Sequence, residues 1–197
     1  MSSDEELKIK IKEFWAKSND WDNLRTSEEG LYLVKYPIKQ GSQLFVGLKI
    51  KKSIYSYKGI YLKSSKELNS IRSLLNFIEL EHIINQLSKD GQLRKKISAL
   101  KEWDTFDSPI PGIFYTKMPL AGDDGGVIAI ALNPIDEFGR KTKRKNLYLK
   151  NLEDLKIYRR LFNSAKIDRL IMMVEDVNSE LTVEFKVAQS KIIKKYK

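Results

Sequence analysis

The sequence predicts an α+β fold: two repeated modules, each an antiparallel sheet followed by a helix (ββββα-like), form a pseudo-dimer within one chain and follow an accessory N-terminal helix. Three observations lead to this prediction. The chain repeats itself, each copy changes from strand spacing to helical spacing of its apolar residues, and 42% of the 197 residues are hydrophobic. That apolar content is enough for a packed core, so wholesale disorder is excluded.

The internal repeat has two offsets. Shifting the chain by 82 residues aligns 21–50 with 103–132, and a five-residue insertion changes the offset to 87 for residues 59–76. Across these 48 aligned positions 12 are identical. The identical pairs include Trp21 and Trp103, Gly30 and Gly112, Lys35 and Lys117, Tyr61 and Tyr148, Arg72 and Arg159, and Asn76 and Asn163. Two such copies indicate a pseudo-dimer and not a solenoid.

The predicted elements follow in chain order. Residues 1–20 form the N-terminal helix, 21–88 the first sheet-plus-helix repeat, 89–102 a helical linker, 103–175 the second repeat, and 176–197 a C-terminal strand with a basic tail. In the first repeat, three strands lead into a helix for which Ser64 and Ser65 are the candidate caps. Alternating apolar residues from Leu181 to Val187 predict the late strand, and Asp123 to Gly126 predicts a hairpin turn.

Composition excludes several kinds of site. With no cysteine there are no disulfides, thiolate zinc sites or cysteine nucleophiles, and a single histidine, His82, excludes triads and multi-histidine metal sites. No apolar run approaches the roughly 18 residues of a membrane span, and the N-terminus is acidic where a signal peptide is basic. We expect a soluble protein that is not secreted, located in the cytoplasm with the nucleoid or in the nucleus, with no cofactor, metal or membrane partner.

The positive charge is concentrated in the predicted strands and hairpins. The chain carries 36 Lys and Arg against 26 Asp and Glu, a formal charge of +10. Residues 30–66 contain eight lysines and no acidic residue, and residues 138–150 contain six basic residues and no acidic one. Such strips suit a phosphate backbone, because each cation that neutralises a phosphate releases counterions. Tyrosines interleaved with the first strip offer stacking rings, which favours single strands.

The stretch from Val127 to Leu155 resembles the strand, basic hairpin, strand and helix of the transcriptional positive cofactor four family. It is similar also to the Whirly and Pur-alpha proteins, which share a sheet plus helix and duplicate it within one chain. The segment from Lys58 to Ser64 carries the same pattern in the first copy. In that family single-stranded nucleic acid lies across curved sheets, held by basic residues and stacking aromatics.

The resemblance implies contacts at corresponding positions of this chain. In the first copy these are Lys49, Lys51, Tyr55, Tyr57 and Lys58, and in the second copy Arg140, Lys141, Arg144 and Lys145. The second copy departs from the pattern, because Ala129 and Ala131 replace the charged outer face. We therefore expect the first copy to contribute most of the stacking.

The expected function is non-catalytic binding of single-stranded nucleic acid, DNA or RNA, in transcription or genome maintenance. The predicted binding residues are Lys35, Phe45, Lys49, Lys51, Lys52, Tyr55, Tyr57, Lys58, Arg140, Lys141, Lys143, Arg144 and Lys145. The transcription machinery is a further expected partner, and the protein is expected to be a monomeric pseudo-dimer or a homo-oligomer.

Other interpretations remain open for the same residues. The basic surface also suits an interaction scaffold that docks on a transcription complex or an acidic partner. The carboxylates of Asp104, Asp107, Asp123 and Asp124 leave a metal-dependent nuclease open. The lysines could instead form a solvated sheet edge that discourages aggregation. Trp21 and Trp103 are expected to be core anchors.

Overall fold

A computed structural model describes residues 3–39, 43–51, 59–120, 123–143 and 145–195. Its helices and strands, numbered separately in chain order, are α1 Ser3–Lys17, β1 Asn23–Arg25, β2 Leu31–Lys35, β3 Val46–Ile50, β4 Ile60–Leu62, α2 Ser65–Leu75, α3 Leu80–Lys89, α4 Gly91–Ser98, β5 Thr105–Asp107, β6 Ile113–Leu120, β7 Asp123–Leu132, β8 Leu147–Leu149, α5 Leu152–Phe162 and α6 Ala165–Lys195. The predicted α+β class, the N-terminal helix and the two sheet-plus-helix modules are confirmed.

Both sheets have the same antiparallel topology. Their strand orders are β1-β2-β3-β4 and β5-β6-β7-β8, so each strand pairs with its neighbours in sequence. The central pairing Leu31↔Ile50 recurs as Ile113↔Leu132, as the offset of 82 requires. Every pairing therefore joins strands that are consecutive in the chain, which antiparallel strands permit because no crossover helix is needed between them.

The two copies also share details of backbone geometry. Trp21 and Trp103 adopt positive φ angles of 69° and 70°, and Gly30 and Gly112 both have φ of 83°. The left-handed conformation favours glycine, because a side chain there meets the backbone. The N–H groups of Trp21 and Trp103 donate to the carbonyls of Lys35 and Lys117 at 2.8 and 2.7 Å.

Each module's closing helix begins with the same reciprocal cap. In α2 the Glu67 N–H donates to Ser64 Oγ, and the Glu67 carboxylate accepts from the Lys63 N–H. In α5 the Asp154 N–H donates to Asn151 Oδ1, and the Asp154 carboxylate accepts from the N–H of Lys150. Both caps satisfy N–H groups that the first helical turn leaves without partners. Of the two predicted caps, Ser64 is the one used.

The chain divides into two compact units, residues 1–67 with 164–197, and residues 68–163. In the first unit, α1 and α6 pack together and α6 covers β3. In the second unit, α3 and α4 pack on β7. Fully buried aliphatic residues on the covered faces, among them Leu48 and Ile130, form the cores.

The helices that follow the two repeats are themselves related by the offset of 87. Buried Leu80, Ile83, Ile84 and Leu87 of α3 correspond to buried Ile167, Leu170, Ile171 and Val174 of α6. The helix after the first repeat packs on the second sheet, at β7, whereas the helix after the second repeat packs on the first sheet, at β3. The repeats therefore exchange their last helices, in the manner of a swapped dimer joined into one chain.

Within the second unit, α2 and α5 contact each other reciprocally. Arg72 Nε donates to the Phe162 carbonyl at 2.9 Å, and Arg159 Nε donates to the Leu75 carbonyl at 2.8 Å. The side-chain amides that follow, Asn76 and Asn163, donate to each other at 3.0 Å in both directions. Exchanged bonds between equivalent residues are what a local two-fold relationship produces.

Two predictions of secondary structure are wrong. The predicted C-terminal strand around Leu181 to Val187 is part of α6. This helix contains no glycine or proline, so it continues beyond the residues that pack on the sheet. The apolar residues from Leu181 to Val187 alternate over too short a stretch to interrupt it. The predicted turn from Asp123 to Gly126 is the beginning of β7, which already pairs at Leu120↔Asp123.

Candidate nucleic-acid interface

One face of the first sheet gathers aromatic and basic side chains. The register aligns Tyr32 of β2 with Lys49 of β3, and Lys49 with Tyr61 of β4. Arg25 of β1 pairs with Tyr32 and extends the row. Directly paired residues in an antiparallel sheet share a face, and the residues between them point the other way. Val46, Leu48 and Ile50 therefore occupy the opposite face, where they are fully buried.

Three lysines of this face lie over tyrosine rings. Their ammonium groups are 4 to 6 Å from ring centroids, within the range of cation–π attraction. The pairs are Lys51 over Tyr32 at 4.8 Å, Lys49 over Tyr61 at 5.3 Å and Lys63 over Tyr36 at 5.9 Å. We call these six residues the tyrosine–lysine face.

A chain of rings continues the face to its margin. Tyr36 contacts Tyr61 edge-on with centroids 6.4 Å apart, and Trp21 contacts Tyr36 at 5.3 Å. The ring of Tyr36 lies so close to Gly47 that a Cβ there would be 2.3 Å from Cε2 of Tyr36. Trp21 is 52% exposed, so its predicted role as a core anchor is wrong. It is an accessible aromatic surface beside the lysines.

Lys49 of β3 and Lys51, which follows the strand directly, carry their charges at an energetic cost. Lys49 is only 8% exposed, and this burial lowers the pKa of its ammonium group. Burial also lowers the pKa of Lys51, and the positive charge of Lys49 lowers it further. Among the described residues, no carboxylate forms an ion pair with either lysine. An anion placed between them would stabilise both charged forms.

Tyr36 supplies a further polar atom at this face. Its hydroxyl is buried and has no hydrogen-bond partner in the part of the chain that the structure describes. Burial raises its pKa, and the nearby Glu67 charge raises it further. The hydroxyl is therefore a donor throughout the physiological pH range, and an acceptor atom of a ligand would satisfy it.

Two predicted binding residues of the first copy do not belong to this face. Phe45 is 1% exposed and packs edge-on against Trp15 and Phe185, so its predicted place on the outer face is wrong. It precedes β3, which begins at Val46, and so it does not follow the strand's alternation. Lys35 donates to the Ser18 carbonyl at 2.6 Å and lies over the Trp15 ring, at the end of α1.

The second sheet presents a different face at equivalent positions. Its row is Asp107, Phe114, Ala131 and Tyr148, so a carboxylate replaces Arg25 and alanine replaces Lys49. Lys141 from the hairpin lies 4.0 Å from the Phe114 centroid, much as Lys51 lies over Tyr32. Burial lowers the pKa of Lys141, although the charge of Asp107 opposes this. Among the described residues, the second face therefore carries fewer basic side chains than the first.

The basic hairpin of the second copy is not a continuous cationic strip. Asp136 accepts from the backbone N–H and from Nε of Arg140, both at 2.9 Å, and these bonds lower the pKa of Asp136. The Arg140 guanidinium also lies over the exposed Phe138 ring. Lys143 is half-buried, and its N–H and carbonyl both bond to the Asn133 side chain, whereas Lys145 is exposed. Lys141 donates to Thr105 Oγ1.

The structure thus unites Lys49 and Lys51 and separates them from Lys35 and Phe45. The predicted residues Lys52, Tyr55, Tyr57, Lys58 and Arg144 lie outside the described residues. Sequence reasoning missed Tyr36 and Lys63 as members of the face and Trp21 at its margin. It counted Tyr32 and Tyr61 among the tyrosines interleaved with the basic strip but left both out of the predicted binding residues. Antiparallel pairing of the first two long strands places Tyr32 opposite Lys49. Every second residue after Tyr32 then lies on the same face, which would have identified Tyr36 as well.

Other features of the described residues bear on function. No group of three or more acidic or histidine side chains is arranged to hold a metal ion within the described ranges. In the same ranges, no helix combines the length and apolar character needed to cross a bilayer. Compared with known proteins, the chain matches no family model, no curated protein and no solved structure.

Proposed function

We propose that this protein binds single-stranded nucleic acid through the tyrosine–lysine face of its first sheet and catalyses no reaction there. The observation that carries the proposal is the pair Lys49 and Lys51. Both lie over tyrosine rings, and neither has a carboxylate partner among the described residues. Two neighbouring cations held at such a cost call for an anionic ligand with repeated charges.

The position of the lysines argues against a role in protecting a sheet edge. Lysines that discourage aggregation lie on edge strands, where backbone groups have no partner. β3 is a central strand, paired with β2 on one side and β4 on the other. Lys49 belongs to this central strand, and Lys51 follows it with its N–H bonded to the Gly30 carbonyl, so edge protection does not account for their charges and a ligand explains them better.

The aromatic residues favour single strands over a duplex. An exposed ring can stack on a base only when that base is not enclosed in a double helix. Trp21 is half-exposed at the margin of the face, in contact with Tyr36. We propose that phosphates lie near Lys49 and Lys51 while a base stacks on Trp21.

A fluorescence-anisotropy titration with labelled oligo(dT) and a duplex of equal length tests the proposal. Each phosphate contact contributes a slope of about −0.7 to log K against log salt for single strands. Lys49→Ala and Lys51→Ala should each remove about one contact and so make the slope less negative by about 0.7. A fourfold increase in salt should then weaken binding of each variant about 2.5-fold less than it weakens binding of the wild type. Trp21→Ala should instead weaken binding by about 1–3 kcal/mol at an unchanged slope.

The matched control is Lys95→Ala, because Lys95 is an exposed lysine of α4 in the other compact unit. It removes the same net charge and should leave the slope nearly unchanged. Equal slopes for the wild type and for both the Lys49 and Lys51 variants would contradict the proposal, as would tighter binding to the duplex.

A further inference from the structure

Within the residues that the structure describes, the second sheet has an unpaired strand edge at a position that is closed in the first sheet. β7 spans Asp123–Leu132, but β8 pairs only with Ile130, Ala131 and Leu132. Residues 126–128 therefore lie beside β6 on one side, and on the other side no strand of the described residues pairs with them. An unpaired strand edge presents N–H and carbonyl groups that can bind another extended segment.

The register shows which backbone groups face this edge. The N–H of Asn133 donates to the carbonyl of Gly112, on either side of the pair Ile113↔Leu132. This bond between the flanking residues makes Ile113↔Leu132 a non-hydrogen-bonded pair of the antiparallel ladder. In such a pair the backbone N–H and carbonyl of Leu132 point away from β6. Alternation gives Ile128, paired with Lys117, the same orientation. Its N–H and carbonyl point to the open edge, and no described residue bonds to them.

The first sheet closes the same edge with a side-chain amide. Val46, which corresponds to Ile128, donates its N–H to Asn178 Oδ1 and accepts from Asn178 Nδ2, both at 2.8 Å. Asn178 belongs to α6, which covers this sheet. In the second unit the corresponding helix α3 ends at Lys89, and Gly91 stands at the position of Asn178. The Asn178 carboxamide thus shows that a peptide-like group fits the equivalent edge of the first sheet.

A groove runs beside the open edge. Its volume is about 690 Å³, and it lies among β7, α3, α4 and the start of α5. Its lining includes apolar Ile84, Leu87 and Val127, the cations Arg94 and Lys150, and the acid Glu153. In the described part of the chain, neither Arg94 nor Lys150 forms an ion pair. Apolar lining with two cations against one carboxylate suits a segment that alternates apolar and acidic residues.

We propose that the β7 edge at residues 126–128 binds an extended segment of a partner protein, which adds to the second sheet as a further strand. The segment's backbone bonds to the N–H and carbonyl of Ile128, as the Asn178 amide bonds to Val46. Its apolar side chains contact Ile84 and Leu87, and an acidic side chain pairs with Arg94 or Lys150. This site is independent of the tyrosine–lysine face.

The experiment uses the full-length protein and a fluorescein-labelled heptapeptide in which valine and glutamate alternate. Binding is followed by anisotropy, and amide exchange of Ile128 by NMR. We expect the peptide to slow exchange of the Ile128 amide about tenfold or more at saturation. A peptide N-methylated on the amides of one edge, which cannot pair as a strand, should bind at least about tenfold more weakly.

Two matched variants locate the site. Arg94→Glu should weaken peptide binding about fivefold or more, because it repels the acidic side chains. Lys95→Glu changes the same charge on the same helix outside the groove lining and should change binding less than twofold. The proposal is overturned if the peptide fails to bind at about 1 mM, if it binds without protecting Ile128, or if oligo(dT) protects that amide instead.

Discussion

Replacing Asn178 by alanine removes the amide that closes the edge of the first sheet. The side chain is buried, and its Oδ1 accepts from the N–H groups of Phe45 and Val46 at 2.9 and 2.8 Å. Its Nδ2 donates to the Val46 carbonyl at 2.8 Å. The variant leaves two donors and one acceptor without these partners, at the point where the chain enters β3.

The expected loss of stability follows from these three bonds. A hydrogen bond contributes about 0.5–1.5 kcal/mol net, and a buried group left without a partner costs about 1–3 kcal/mol. We expect Asn178→Ala to lower the free energy of unfolding by about 3 kcal/mol, which is roughly a hundredfold in the unfolding equilibrium. In a domain of this size that corresponds to a Tm lower by about 6–12 °C.

Urea denaturation measures the global loss, and amide exchange of Val46 measures the local one. Exchange at Val46 should accelerate more than exchange in the second sheet. Ser179→Ala is the control, because its exposed hydroxyl donates to the Glu175 carbonyl within α6 and, among the described residues, makes no bond to the first sheet. It should change stability by less than about 0.5 kcal/mol. A loss below about 1 kcal/mol for Asn178→Ala, with unchanged Val46 exchange, would refute the reasoning.

Two further predictions concern charge and symmetry. Because burial lowers the pKa of Lys49, deprotonation favours the folded state, so wild-type stability relative to Lys49→Met should rise as pH increases toward the ordinary lysine pKa. Urea melts at several alkaline pH values test this, and a difference that stays constant with pH contradicts it. Asn76→Ala and Asn163→Ala each remove both amide bonds between α2 and α5. Each should cost about 1 kcal/mol and the double variant little more, so additive losses in a double-mutant cycle would exclude the reciprocal pair.

The sequence by itself determined the duplication and the module architecture. Trp21 and Trp103 repeat with the same backbone geometry, and Ser64 and Asn151 begin equivalent helices. These features depend on local chemistry, since glycine conformation, helix caps and alternation act between residues close in the chain. The repeat continues further than the aligned positions, because Ile83 and Leu170 mark equivalent helices.

Only the tertiary structure decided which residues share a surface. Phe45 is buried because it meets Phe185, and Lys35 is engaged because it reaches the Ser18 carbonyl. Neither partner can be identified from the alternation of one strand. The same holds for the two edges: Asn178 closes one and Gly91 stands at its place beside the other. The difference arises because α6 continues past Asn178 beside β3, whereas α3 ends at Lys89 beside β7. Long-range packing determines where each helix lies relative to its strand.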